Sequence, residues 1–258
     1  MCTISVHRGE GSLLVTMNRD EAKTRADELP PIIRVESGIS WLGPVDGNSG
    51  GTWMGVSEYG VVACLTNLYR ESDATPRSAG KAARSRGEIV PWLLGHGTLE
   101  SIRAAVMSDF DPKPYPSFTI LLAALDRVET FEWPVDSPFT HHPHTSEWTM
   151  LTSSSWKTDE VTARRRDAFD AWRVNGAHSC GALPAFHVLQ PEGEAEWSPL
   201  MERSYASTRS ITQVYFDEGT THAVMRYWPR NAVYPGGCGT PREFSVSLLP
   251  AGSASPRR

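Results

Sequence analysis

Cysteine is scarce in this 258-residue chain: four in all, at Cys2, Cys64, Cys180 and Cys238, with no C-x-x-C pair. That excludes a zinc ribbon or a disulfide framework as the basis of the fold. Free thiols fit a reducing cytoplasm, the expected location. Long apolar runs are missing too. No window approaches the ~20 apolar residues that span a bilayer, so no membrane partner is expected. Residues 1–15 lack the apolar core of a secretory signal, because Arg8 and Glu10 interrupt it. Basic charge is not in excess: 25 Lys plus Arg face 30 Asp plus Glu, a net charge of −5. A nucleic-acid partner is therefore not expected, since phosphate neutralisation needs a basic surface.

What the chain does have is length, turns and ordinary apolar content. With 40% hydrophobic and 21% charged residues it reads as globular. A chain of this length buries roughly 70–75% of its unfolded surface and folds without disulfides or metal. No linker or internal repeat divides it, so one domain over residues 1–250 is expected, with 251–258 as a disordered tail. The 21 Gly and 19 Pro favour many turns over long helices.

Alternation and turn residues predict a series of hairpins. Thr3–Val6 and Leu13–Met17 flank a turn at Gly9–Gly11, and a polar segment with Pro30 and Pro31 leads to a short strand at Ile39–Leu42. Thr52–Val56 and Val61–Leu65 form a second hairpin, whose second arm is apolar without alternation and suits a strand covered on both faces. Further hairpins pair Phe118–Leu125 with Val128–Trp133, and Ser210–Phe216 with His222–Trp228; Trp148–Thr152 is a separate strand. Helical spacing covers Ala79–Leu94, which Pro91 should end or kink, then Thr98 to about Met107, and a helix starting at Thr158 or Asp159. On that last helix Val161, Arg165, Ala168, Phe169 and Trp172 share a face. Hairpins with helices grouped between them imply antiparallel sheets with helices on their outer faces, an α+β architecture.

The residue with most chemical content is Cys2. Aminopeptidases remove an initiator methionine before a small residue, and the new terminus would carry both a thiol and a free α-amine. With pKa values near ~8.5 and ~7.7–8.0, one residue then holds a nucleophile and a base close to neutrality. The plainer alternative is a small side chain that only packs. NRDE (Asn18–Glu21) ends the strand facing Cys2, where Asp20 could hold the amine and Arg19 could favour thiolate or bind an anionic substrate. A charged strand end is the alternative there. CLTN (Cys64–Asn67) ends a central hairpin, and Asn67 offers the N–H donors of an oxyanion hole, or else serves as a turn residue. HHPH (His141–His144) is a poor metal site, because Pro143 prevents a helical i,i+4 pair and no acidic or cysteine partner is close in sequence. His187 and His222 read as packed, GGCG (Gly236–Gly239) as a turn with a buried thiol, and Arg164–Arg166 as a solvated face with Arg165 snorkelling.

Together, MCT (Met1–Thr3), NRDE (Asn18–Glu21) and GGTWMGVSEYGVVACLTN (Gly50–Asn67), in this order and spacing, resemble the NRDE family, whose animal members are the transport and Golgi organisation 2 proteins. TSSSW (Thr152–Trp156) and TRSITQVYF (Thr208–Phe216) are thinner matches. The resemblance implies an N-terminal nucleophile hydrolase fold: a four-layer αββα sandwich with two antiparallel sheets between helices. A more distant likeness is to bile salt hydrolases and penicillin V acylases, which also begin Met-Cys-Thr. It implies Cys2 as nucleophile, its amine as base, Asp20 orienting the amine, Arg19 beside the sulfur and Asn67 stabilising the oxyanion. Asn18 and Arg209 would bind substrate, with Arg209 reaching back toward the thiol. Two departures stand out. Arg19 and Asp20 are adjacent, so either a bulge intervenes or only one reaches the thiol. The second oxyanion donor falls on Ser153 or Ser154, where those enzymes have asparagine. The implied activity is hydrolysis of a small acyl-amide or related carbonyl compound without a cofactor; the alternative is a carrier that handles haem or lipid on the same fold.

Overall fold

The computed structural model describes residues 1–69, 84–135, 137–250 and 252–253. The chain opens with β1 (Cys2–Gly9) and β2 (Ser12–Ala22), followed by β3 (Leu29–Glu36), β4 (Ile39–Val45), β5 (Met54–Ser57) and β6 (Val62–Asn67). Helices α1 (Ile89–Leu94) and α2 (Leu99–Ser108) precede β7 (Phe118–Ala123), β8 (Val128–Trp133), β9 (Thr140–His144) and β10 (Trp148–Ser153). After α3 (Thr158–Val174) come a short ladder of β11 (Ser179–Cys180) with β12 (Leu183–Pro184), and the long strands β13 (Ala206–Asp217) and β14 (His222–Pro229). A second short ladder, β15 (Val233–Tyr234) with β16 (Gly237–Cys238), and then β17 (Arg242–Ser247) complete the described elements.

Among the described residues two large antiparallel sheets form. One runs in the order β10-β1-β2-β13-β14-β17 and the other β3-β4-β5-β6-β7-β8-β9. Their inner faces meet on Ile4, Val6, Val15, Met17, Met54, Val62 and Leu121, all buried. The second sheet's outer face packs Trp41, Ala63 and Phe118 against Ile89 and Leu93 of α1 and Ile102 of α2. On the first sheet's outer face, Phe169 and Trp172 of α3 close over Trp148 and Phe186. The result is four layers, αββα, as the resemblance implies. β6 shows why its sequence is apolar throughout: Val62 and Cys64 face the inter-sheet core, while Ala63 and Leu65 face the helices.

The structure corrects several local expectations. Pro30 and Pro31 belong to β3, an edge strand whose register shifts between Leu29 and Ile32, a place where missing N–H donors cost nothing. Of the expected helix Ala79–Leu94, residues 79–83 lie outside the described set. Its remainder is a 3₁₀ turn at Arg86–Glu88 leading into α1, and Pro91 sits in the first turn of α1, where an N–H would have had no helical acceptor. HHPH lies on β9, beside β8, and the acidic partner invisible in sequence is cross-strand: His141 Nε2 lies 3.0 Å from Glu129 Oε2. Of the expected tail, Gly252 and Ser253 are described and the rest lies outside.

Candidate active site

Cys2 begins β1 between two neighbours, facing Arg19 of β2 and Ser153 of β10. Directly opposed residues share a face, so the Cys2 and Arg19 side chains both project toward the second sheet. Cys2, Arg19, Trp53, Asn67 and Arg86 line one cavity of about 230 Å³ at this end of the sandwich. The sequence brings these positions together because β1, β2 and β6 all present an end there. Gly51 shapes the wall: a Cβ on it would meet the Gly87 backbone at 2.6 Å, and Thr52 N–H donates to Gly87 O at 2.9 Å. Only glycine permits that approach.

Arg19 is buried and held on three sides. Its guanidinium lies 4.4 Å from the Trp53 ring centroid, and it donates to Glu28 Oε2 at 2.9 Å and Asp46 Oδ2 at 2.7 Å. Asp46 also takes Arg25, and its carboxyl sits below its ordinary range: burial opposes the shift, but Ser49 and the two guanidiniums outweigh it. Asn67 donates through Nδ2 to the Tyr69 hydroxyl at 2.6 Å. Arg86 donates to the Ser117 carbonyl at 2.8 Å, and burial lowers its pKa. Cys2 is buried, at 7% exposed. Burial raises its pKa most; the amino-terminal charge and Arg19 pull it down, against the Asp20 carboxylate.

The adjacency of Arg19 and Asp20 resolves through alternation. β2 runs in unbroken register with β1, so the two side chains face opposite ways. The bulge lies instead in β13, where the register shifts between Thr208 and Ser210. Asp20 turns to the outer face, where its carboxylate accepts from Thr208 Oγ1 at 2.7 Å and from Arg165 Nη1 at 3.3 Å. Arg165 is thus no snorkelling surface group. It is 1% exposed, and Nη1 also donates to Thr3 Oγ1 at 2.7 Å. What Asp20 offers the chain terminus directly is its main chain: the Met1 ammonium donates to Asp20 O at 3.1 Å, and Asp20 N–H donates to Met1 O at 2.9 Å.

Ser153 accepts from the Cys2 N–H at 3.2 Å, whereas the Ser154 hydroxyl donates to Trp156 O at 2.6 Å. Asn18 does not line the cavity. It is buried on the outer face and clamps the segment around His187, donating to His187 O at 2.9 Å and Pro199 O at 2.8 Å. Arg209, at the β13 bulge, pairs with Asp27 and lines a separate depression with Tyr227 and Arg242; it does not reach the thiol. Trp53 lies inside the GGTW segment with nothing local to mark it as a cavity residue, and Arg86 carries no signal in sequence.

Two sheets between helices, with Cys2 at the cavity edge of the first strand, define an N-terminal nucleophile hydrolase fold. An N-acylethanolamine-hydrolyzing acid amidase ortholog from Caenorhabditis elegans superposes with a TM-score of 0.57 at 11% identity, over 82% of this chain and 92% of that one. Penicillin V acylase from Agrobacterium tumefaciens gives 0.52 at 12% identity, over 96% and 86%. The C2A mutant of conjugated bile acid hydrolase from Clostridium perfringens gives 0.51 at 11%, over 95% and 97%. Within that fold, this chain belongs to the Transport and Golgi organisation 2 family, whose model matches residues 1–172. A Transport and Golgi organization 2 homolog from Mus musculus is 32% identical over 114 residues, a stretch that takes in 44% of this chain and 39% of the mouse protein. No helix among the described residues is long and apolar enough to cross a membrane.

Proposed function

We propose that this chain, once Met1 is removed, is an N-terminal cysteine hydrolase that cleaves a small acyl-amide or related carbonyl compound. One observation carries the reading: Cys2, Arg19 and Asn67 line a single cavity large enough for part of a small molecule. The thiol proton passes to the α-amine, and sulfur attacks the carbonyl carbon while the C=O π pair moves onto oxygen, facing Asn67. Collapse breaks the C–N bond, and the α-ammonium returns the proton to the departing amine. Water, deprotonated by the same amine, then attacks the thioester; the C–S bond breaks and sulfur regains its proton. The sum is amide plus water giving acid plus amine. Arg19, beside the thiol, favours the thiolate that burial alone disfavours. Removing Met1 supports the step by placing the cationic amine on Cys2 itself. Asp20 and Ser153 are the groups proposed to orient that amine.

Intact mass of the purified chain, followed by an N-terminal-thiol electrophile, tests the reading. The expected result is a chain starting at Cys2, labelled there before Cys64, Cys180 or Cys238. Met1 retained in active protein, or full turnover by a Cys2→Ala variant, overturns it.

A further inference from the structure

Three arginines among the described residues are at most 4% exposed, and two of them have carboxylate partners. Arg19 has Glu28 and Asp46, and Arg165 has Asp20. Arg203 is just as buried, at 3% exposed. Yet its contacts are the Glu196 carbonyl at 3.0 Å, the Ser154 hydroxyl at 3.3 Å, the Trp156 ring at 4.6 Å and the Met1 thioether at 3.0 Å from Nη1. A thioether is a weak acceptor, and an uncompensated buried charge is costly. The cation is aimed at an atom that the reading above removes.

Met1 fills the space between. It lines the cavity that holds Cys2, and its sulfur also sits 3.5 Å from Ser155 Oγ. Because Met1 both lines that cavity and touches Arg203, its loss joins the space before the guanidinium to the cavity, past the new α-amine. In the proposed reaction that amine must protonate the departing nitrogen, so it lies between the sulfur and the amine half of the substrate. Whatever substituent the departing nitrogen carries continues beyond the α-amine, toward the guanidinium.

We propose that Arg203, with Ser155 and the Trp156 face beside it, forms a subsite for a carboxylate on the amine half of the substrate, opened by removal of Met1. The substrate class is then an N-acyl amino acid, not a neutral amide. This rests on the hydrolase reading for its orientation, but the binding it predicts does not need turnover. The Arg203 fork supplies parallel donors matched to a carboxylate.

The test uses full-length Cys2→Ala protein, which an aminopeptidase still processes and which cannot form a thioester. With the new terminus confirmed by mass, N-decanoylglycine and N-decanoylglycinamide are titrated calorimetrically as matched probes. The acid is expected to bind at least ~10-fold more tightly than the amide, the scale of one desolvated charge-assisted contact. Arg203→Met should abolish that ratio and Arg203→Lys retain part of it. A Cys2→Leu chain, which keeps Met1, should show no ratio, so the proposal stays testable if Arg203→Met fails to fold. Equal affinities for the two probes in the processed protein, no binding of either, or a ratio that survives in the Met1-retaining chain would overturn it. Failure of Cys2 to label with electrophile, alongside an intact ratio, would instead remove the hydrolase reading and leave the subsite.

Discussion

Asp20 and Arg165, 145 residues apart, form an ion pair at 3.3 Å beneath α3, with side chains 0% and 1% exposed. The pair ties the helix to the strand that positions Cys2, and the Thr3 and Thr152 hydroxyl oxygens also accept from the guanidinium.

Asp20→Asn is expected to cost about 3–5 kcal/mol of stability, because it strands a buried guanidinium. Urea denaturation measures the loss. Arg165→Met in the Asp20→Asn background should recover a large part of it, since a non-polar replacement removes the orphaned charge. A near-zero effect of the first change would mean that water reaches the pair.

Asn67→Ala should reduce kcat by about 10²–10³ with little change in KM, as loss of an oxyanion donor does. The partner released is a half-buried tyrosine hydroxyl, so circular dichroism and melting should barely move. A variant with unaltered kcat on an accepted amide removes Asn67 from the mechanism.

His187 is completely buried, with Nδ1 2.6 Å from Asn18 Oδ1 and Nε2 2.6 Å from Ser5 Oγ. Burial pushes its pKa down to about 3. The unfolded chain, titrating near ~6.5, binds the proton more readily than the folded one. Stability at this residue is therefore full above pH ~6.5 and falls as pH drops toward 3, at up to about 1.4 kcal/mol per pH unit. His187→Gln should lower stability at pH 7 but flatten its slope between pH 6 and 4. Denaturation curves across that range decide the matter.

Cys180 and Cys238 face each other across the two short ladders with sulfurs 2.7 Å apart. Burial and the neighbouring thiol push the Cys238 pKa up to about 12. Oxidised glutathione should convert the pair to a disulfide, slowly at pH 7 and faster as rising pH supplies thiolate, with two glutathione molecules released as the reduced thiol. Peptide mass mapping should find this linkage and leave Cys64, fully buried between the sheets, unmodified. Persistence of both free thiols at high pH would contradict the contact.

The hairpins, and with them antiparallel sheets under outer helices, were legible because inward-facing residues repeat at two and turn residues punctuate them; the four-layer αββα order came only from the family resemblance. The shared face of α3 was legible for the same kind of reason, with one difference. Arg165 occupies a core position on that face, and a charge there reads as surface until its partner is known. Cys2, Arg19 and Asn67 stood out because each follows or precedes a predicted strand with a group capable of chemistry. Arg203 did not, since its meaning depends wholly on Met1, Ser154 and Trp156.

Local periodicity, then, determined which segments became strands and helices and which residue types stood at the strand ends, because those follow from backbone geometry and neighbours in the chain. Folding decided which way each end pointed. It set Arg19 toward the cavity and Asp20 toward Arg165, placed the bulge in β13, not β2, and drew Arg209 away to Asp27. The β2–β13 pairing and the Asp20–Arg165 and Arg209–Asp27 partnerships each span more than a hundred residues, and no window of sequence contains both members.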